Sequence, residues 1–371
     1  GTSVADETEV ERMGAVVLMM QNYVESSGGE FIFFSAPNKM SVYGEYMPYY
    51  YIEDDGRGNY ERLYSELVKA GVNTVQLKNT LSLKKADGVQ LYHKLDSHWN
   101  NYGAAVAYET VANKLSEVYG DEFKGYTRYS TMPYSVKNNF SGDLQSMLLP
   151  GSDRKDEQLE FDVSENFEYT NRFRGVDDLV ITTSNESKAV DKSVTLFRDS
   201  FGNALYWFFA NDYTSLTAKR EIPYNIYQAA EESELVAVEL VERNLRNLLV
   251  YTPIVPSLNL GDGYFSGAVR GTADSDCTAE ASVSVMTTTD GLLQVDGSCD
   301  ALSGYAYIYL VVEGSGTYQV LPSEKGADFT LYLESDDADI FNADFAGKVC
   351  SFVVKDETGY VRIPVNVTLQ D

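Results

Sequence analysis

Two histidines, three cysteines and two tryptophans in 371 residues leave little material for several kinds of chemistry. With only His93 and His98, and with the cysteines far apart at 277, 299 and 350, the chain has no histidine-rich metal centre and no CxxC zinc or redox site. No metal is expected. Three cysteines allow one disulfide at most, and three buried thiols are the simpler expectation. A run of about 18 apolar residues, enough to cross a bilayer, is also missing. So are the glycine fingerprints of nucleotide binding: the loop "SAPNKM" after the first apolar strand lacks them, and no cofactor is expected. Basic residues are few, 29 Lys and Arg against 56 Asp and Glu, for a net charge of −27. Such a chain lacks the basic patches that phosphate backbones require, which argues against nucleic acid and disfavours anionic membranes as partners.

What is present is a globular composition, 44% hydrophobic, with 28 tyrosines. The length favours roughly two domains of about 100–250 residues. The acidity suits a soluble protein of the cell exterior. The chain opens "GTSVADETEV" without an initiator Met, so a removed leader or anchor is expected, with the protein secreted, on the cell surface or membrane-anchored.

Periodicity divides the chain. Residues 6–27 and 60–71 carry helical spacing, the second stretch ended by Gly71, and a third helix is expected near 102–118. Short apolar runs at 31–35 and 72–77 read as strands, 193–211 as strand–turn–helix, and 234–249 as a strand followed by a turn or helix. This alternation predicts an α/β domain with a mainly parallel sheet. Residues 120–170 are polar, rich in Tyr and Asn, and weakly periodic. Near 251–267 two prolines and several glycines suggest a linker. Seven strand-like segments with turns between them follow, as in an immunoglobulin-like or carbohydrate-module β-sandwich. We therefore expect an α/β domain over 1–253 and an all-β sandwich over 254–371. Residues 257–371 hold 18 acidic and 5 basic side chains, a net of −13, so this module is roughly twice as acidic per residue as the rest.

Two places could carry chemistry. In "KLDSHWNNYGAAVAYETV" (94–111), Asp96 lies two residues before His98. In an extended segment such positions project to one side. The carboxylate could then fix the imidazole tautomer and leave the other nitrogen free as a general base. A purely structural hydrogen bond is the competing reading. Asn100 or Asn101 can cap the helix that follows. In "VTLFRDSFGNAL", Ser200 falls between an apolar strand and a helix, at the carboxyl edge where open α/β sheets build their sites. Unpaired N–H groups there can stabilise an oxyanion. Ser200 is thus either a nucleophile or an N-cap. Taken together, Asp96, His98 and Ser200 point to a triad.

The blocks "LDSHW…GAAVAYETV" and "FRDSFGNAL" resemble the D-x-H-W and G-D-S-F blocks of the SGNH-hydrolase-like DHHW proteins, a group typified by the alginate O-acetyltransferases. "APNKMSVYGEYMP" (36–48), "SGDLQSML" (141–148) and "VAVELVERNL" (236–245) agree, and the resemblance covers about residues 10–250. It implies a flavodoxin-like α/β fold with permuted motif order. It also implies Ser200 as nucleophile, His98 as general base and Asp96 as its orienting partner. Oxyanion or substrate contacts would come from Arg220, Arg243 and Asn244, with the Ser200 N–H as the surest donor. Arg198 stands where the family has Gly and would narrow the site or bind a sugar or acyl oxygen. Trp99 would pack beneath the triad or form a sugar-stacking wall. Asp199 would bond nearby backbone, and His93 is read as structural. The implied function is an extracytoplasmic acyl enzyme that adds or removes O-acetyl groups on a polysaccharide or cell-wall glycan. Its partners would be the carbohydrate and an acyl donor, with a membrane-bound acyl-donor partner as one source. The alternative is a non-catalytic surface glycan-binding or scaffold protein that keeps the fold. A structure tests the triad directly: Ser200 Oγ should lie within hydrogen-bond reach of His98.

Overall fold

The computed structural model describes residues 4–48, 58–148, 150–267, 269–271, 278–335 and 348–370. The first helix, α1 (Glu7–Ser26), is started by a reciprocal cap. Asp6 accepts the Glu9 N–H at 2.8 Å and Glu9 accepts the Asp6 N–H at 2.9 Å. After it come β1 (Glu30–Ala36), the short α2 (Lys39–Val42), α3 (Asn59–Ala70), β2 (Thr74–Val75), α4 (Leu77–Ala86) and α5 (Asn101–Tyr119). The weakly periodic region holds a ribbon of β3 (Tyr134–Phe140) and β4 (Asp156–Phe161) with α6 (Asp143–Leu148) between them. Then follow β5 (Glu168–Tyr169), β6 (Val180–Ser184), β7 (Val190–Phe197), α7 (Gly202–Asp212), β8 (Tyr213–Lys219), α8 (Ile226–Glu232), β9 (Leu235–Val241) and α9 (Asn247–Val250).

The central sheet runs β2-β1-β9-β7-β8-β6-β5. Its first five strands are parallel, and β6 and β5 add an antiparallel edge. β1 and β9 read as continuous apolar runs because helices cover both faces. On one face Ile32, Phe34, Ala237 and Val241 pack with α4, α5 and α7. On the other, Phe31, Phe33, Val236 and Val238 pack with α1, α3, α8 and α9. The order has one consequence for function. β9 returns between β1 and β7, so the segments leaving β1, β7 and β9 emerge side by side at one carboxyl edge, where the strand order reverses.

The expected strand at 72–77 shrinks to two residues. Leu77 and Leu81 are fully buried against the core, and burying them turns the chain into α4 instead. The C-terminal region is all-β, and each of the seven expected strands is present: β11 (Ala279–Thr287), β12 (Leu293–Ser298), β13 (Ile308–Val312), β14 (Gly316–Gln319) with β15 (Leu321–Pro322), β16 (Asp328–Leu333), β17 (Cys350–Asp356) and β18 (Gly359–Leu369); a short β10 (Val269–Gly271) pairs β18. They form one continuous sheet. The segment 316–322 bonds β13 with its first half and β16 with its second, which rolls the sheet into a barrel-like body. Cys299 and Cys350 are buried free thiols, and Cys277 lies outside the described residues.

The predicted linker is not loose. Val255, Pro256 and Ser257 are buried, the Ser257 N–H donates to Tyr332 O at 2.8 Å, and the Leu260 N–H donates to Thr317 O at 2.9 Å. α1 also bridges the two parts. The buried Arg12 donates through Nε to Tyr305 O at 2.9 Å and through its other nitrogen to Ser303 O, while Tyr307 Oη donates to Glu66 at 2.7 Å. Arg12→Ala removes a buried side chain and both of its hydrogen bonds to the carbonyls of Ser303 and Tyr305, and should lower stability by about 1–3 kcal/mol, read by urea unfolding.

Candidate functional site

The Asp–His loop is built as a narrow hairpin rather than the extended segment assumed above. The His93 N–H donates to His98 O at 3.2 Å and the Asn100 N–H to Leu91 O at 2.9 Å, and residues 94–98 bend between those rungs. At the bend, Asp96 Oδ1 accepts both the His98 N–H at 2.8 Å and His98 Nδ1 at 2.6 Å. A local Asx turn therefore brings the carboxylate to the ring, in place of strand alternation. Asn100 caps α5, its side chain accepting the Gly103 N–H at 2.9 Å.

Other segments clamp this loop. Lys39 Nζ, at the start of α2, donates to the carbonyls of His93, Lys94 and Asp96 at 2.7, 3.1 and 3.0 Å. The Asp143 N–H at the start of α6 donates to Asp96 Oδ2 at 2.7 Å. The Asp143 carboxylate accepts the Ser97 N–H at 2.8 Å and Ser97 Oγ at 2.5 Å. Gly142 permits this approach, since a Cβ there would lie 1.9 Å from Leu95 O. His93 is buried, stacked on Phe140 at 3.8 Å between ring centres, with Nδ1 at 3.0 Å from Glu157 O; it braces the ribbon, as the reading of it as structural expects.

Ser200 lies in the turn between β7 and α7. Its side chain does not cap the helix. Instead Ser200 Oγ sits 2.8 Å from His98 Nε2. Asp96, being ionised, can only accept, so His98 Nδ1 carries the proton and Nε2 accepts from the serine hydroxyl. Burial, the largest influence on Asp96, pushes its pKa up. Hydrogen bonds from the His98 ring, the Asp143 N–H and the His98 N–H outweigh it and hold the carboxyl at about 2. Asp96, His98 and Asp143 also offer three ligand atoms within 4.8 Å of one another, so a metal would find donors here only by displacing the proton between Asp96 and His98.

The remaining sequence-predicted residues divide. Arg243 stays close: its guanidinium lies 5.2 Å from the centre of the Phe201 ring, which in turn lies 4.8 Å from the His98 ring. Its hydrogen bond to Asn38 Oδ1 is long, at 3.4 Å. Asn244 donates to Asp199 Oδ2 at 3.1 Å, and Asp199 also accepts the Phe201 and Val241 N–H groups, the backbone role expected of it. Three residues are placed otherwise than a substrate-contacting role requires. Arg198 is 1% exposed, with its guanidinium bonded to Asn203 Oδ1 and the carbonyls of Val176 and Asp178. Arg220 pairs with Asp177 at 2.8 Å. Trp99 is buried edge-on against Phe201, its Nε1 donating to Phe201 O at 2.9 Å, so it is a packing residue and not a sugar-stacking wall. Sequence reasoning passed over Lys39, Asp143, Phe201 and Glu239. A lone acid inside the apolar run "LVAVELV" was the available signal for the last.

The family model of the SGNH hydrolase-like domain of acetyltransferase AlgX matches residues 2–212. The chain belongs to that family. Among solved structures it is similar in fold to a DHHW family protein from Eubacterium siraeum (14% identity, TM-score 0.50, 66% of this chain and 87% of that one). It is likewise similar to Bacillus cereus PatB1 (14% identity, TM-score 0.52, 66% and 92%), also solved with a sulfonyl adduct (15% identity, TM-score 0.51, 66% and 91%). No curated protein matches. Among the described residues no helix is long and apolar enough to cross a membrane.

Two outcomes follow from this geometry. A Cβ at residue 142 meets backbone that cannot yield, so Gly142→Ala should cost about 1–3 kcal/mol, seen as a lower melting temperature. Because the folded pKa of Asp96 is depressed, its stabilising contribution is full above the unfolded value near about 4 and is lost as pH falls toward 2. The stability gap between the wild type and Asp96→Asn should therefore be flat above about pH 5 and shrink below about pH 4, measured by urea unfolding across that range.

Proposed function

We propose that this protein is an extracytoplasmic acyl enzyme that adds or removes O-acetyl groups on a polysaccharide or cell-wall glycan, with Ser200 as nucleophile, His98 as general base and Asp96 as its orienting partner. The observation that carries this reading is the chain Asp96 Oδ1–His98 Nδ1 at 2.6 Å and His98 Nε2–Ser200 Oγ at 2.8 Å. Membership of the acetyltransferase family supports the acyl group transferred. We take residues 1–253 as the catalytic unit and 254–371 as an accessory β-domain.

The steps follow from the proton positions. His98 Nε2 takes the Ser200 proton as Oγ bonds to the acyl carbonyl carbon, and Asp96 stabilises the imidazolium. The carbonyl electron pair moves onto oxygen, facing the Ser200 N–H, which makes no hydrogen bond among the described residues. As the intermediate collapses, the leaving oxygen takes the proton from His98. The acetyl-Ser200 ester is then attacked by a sugar hydroxyl in the transferase direction, or by water in the esterase direction, with His98 again as base. Arg243, beside the Phe201 ring, is the side chain we assign to an oxygen of the substrate.

The test is p-nitrophenyl acetate turnover with detection of acetyl-Ser200 by intact mass. The wild type should show a burst and an adduct, and Ser200→Ala and His98→Ala should each lose about a thousandfold or more in rate. Equal, negligible rates in all three proteins, with no acetyl on Ser200 from this ester or from an acetylated glycan, would favour a glycan-binding scaffold that keeps the fold.

A further inference from the structure

We propose that Glu239 is the positioning residue of the Ser200 turn, one of two carboxyl groups that grip the turn from opposite sides. This rests on Ser200 being the nucleophile and extends it to a residue outside the triad. Glu239 belongs to β9, a strand buried along its whole length, and is itself 0% exposed. It shares its face of the sheet with Ala237 and Val241, against the core formed with α5 and α7. A carboxyl there serves no packing purpose that an apolar side chain would not serve better. Its Oε2 accepts the Asp199 N–H at 3.1 Å. On the other side of the same turn, Asp199 Oδ1 accepts the Phe201 N–H at 2.9 Å. The N–H groups flanking Ser200 on both sides are thus taken by carboxyl oxygens, while the Ser200 N–H between them has no partner among the described residues and is available to an oxyanion.

The protonation state fits the task. Burial, and then the nearby Asp199 carboxylate, push Glu239 well above the usual carboxyl range; the Asp199 N–H, the Arg198 guanidinium and the Gly202 N–H oppose this without overcoming it. Glu239 Oε1 is buried with no hydrogen-bond partner among the described residues, a position far costlier for an anion than for a neutral acid. A neutral carboxyl holds the turn without placing a second negative charge beneath the oxyanion, where it would oppose the charge that forms.

Two substitutions separate reach from charge. Glu239→Gln keeps a neutral oxygen at the same distance, whereas Glu239→Asp keeps the acid but withdraws it by one methylene. In the full chain, the rate at which phenylmethylsulfonyl fluoride modifies Ser200, followed by intact mass, should stay within about threefold of wild type for Gln and fall by about tenfold or more for Asp. Amide hydrogen exchange over 198–203 should quicken for Asp alone, a readout independent of activity. An Asp variant with wild-type rate and protection, a Gln variant as impaired as Asp, or a Gln variant that fails to fold would each overturn the inference. If wild-type Ser200 takes up neither acetyl nor sulfonyl, the acyl-enzyme reading fails by itself, and unchanged exchange in the Asp variant would then overturn the positioning role separately.

Discussion

The hydrogen bond between Ser200 Oγ and His98 Nε2 joins residues 102 positions apart in sequence, and most of the surrounding structure is arranged to hold it at 2.8 Å. Neither partner is on a regular element. Ser200 is in a turn and His98 in a bend, so each must be fixed by bonds to its own backbone. On the histidine side, Lys39 takes three carbonyls and Asp143 two groups of Ser97. On the serine side, Asp199 and Glu239 take the flanking N–H groups. The Phe201 ring lies against both His98 and Trp99, so the two loops share a packed floor.

The buried ionisable groups near the site differ in how many hydrogen bonds they receive, and their protonation follows. Asp96 stays ionised because three donors from two segments converge on it and outweigh burial, which favours its neutral form. Glu239, with fewer donors and an anionic neighbour, goes the other way. Arg198 is buried too, and burial, the largest influence, brings its pKa down to about 10; two carbonyls and Asn203 accept from it. The acidity of the chain as a whole is a surface property and leaves this pattern untouched.

Much of the fold was legible because it follows from local periodicity. α1, α3, α5, the turn at Ser200 and the seven C-terminal strands all carry their signal within a window of about twenty residues. The pair Asp96 and His98, and the serine, were legible for the same reason: a carboxylate two residues from an imidazole and a serine at a strand end are local statements. Arg198 was misread because a guanidinium beside a serine in sequence need not point toward it. In the fold it turns to the carbonyls of Val176 and Asp178, a loop that sequence distance hides. The same holds for the prolines and glycines at 251–267. They mark the end of one pattern, but the burial of Val255 and the bond from Ser257 to Tyr332 depend on a surface that exists only once both parts have folded.

The sequence by itself determined most of the strongly periodic elements, the family, and the three residues of the proposed triad, because these depend on residue chemistry and short spacing. Only the tertiary structure decided which groups support them. Lys39, Asp143 and Glu239 reach the site from three separate segments, and Arg220 and Trp99 are drawn into other contacts. The physical reason is the strand order. β9 inserts between β1 and β7, and so places the ends of distant segments within hydrogen-bond distance of one another, an outcome that no local pattern encodes.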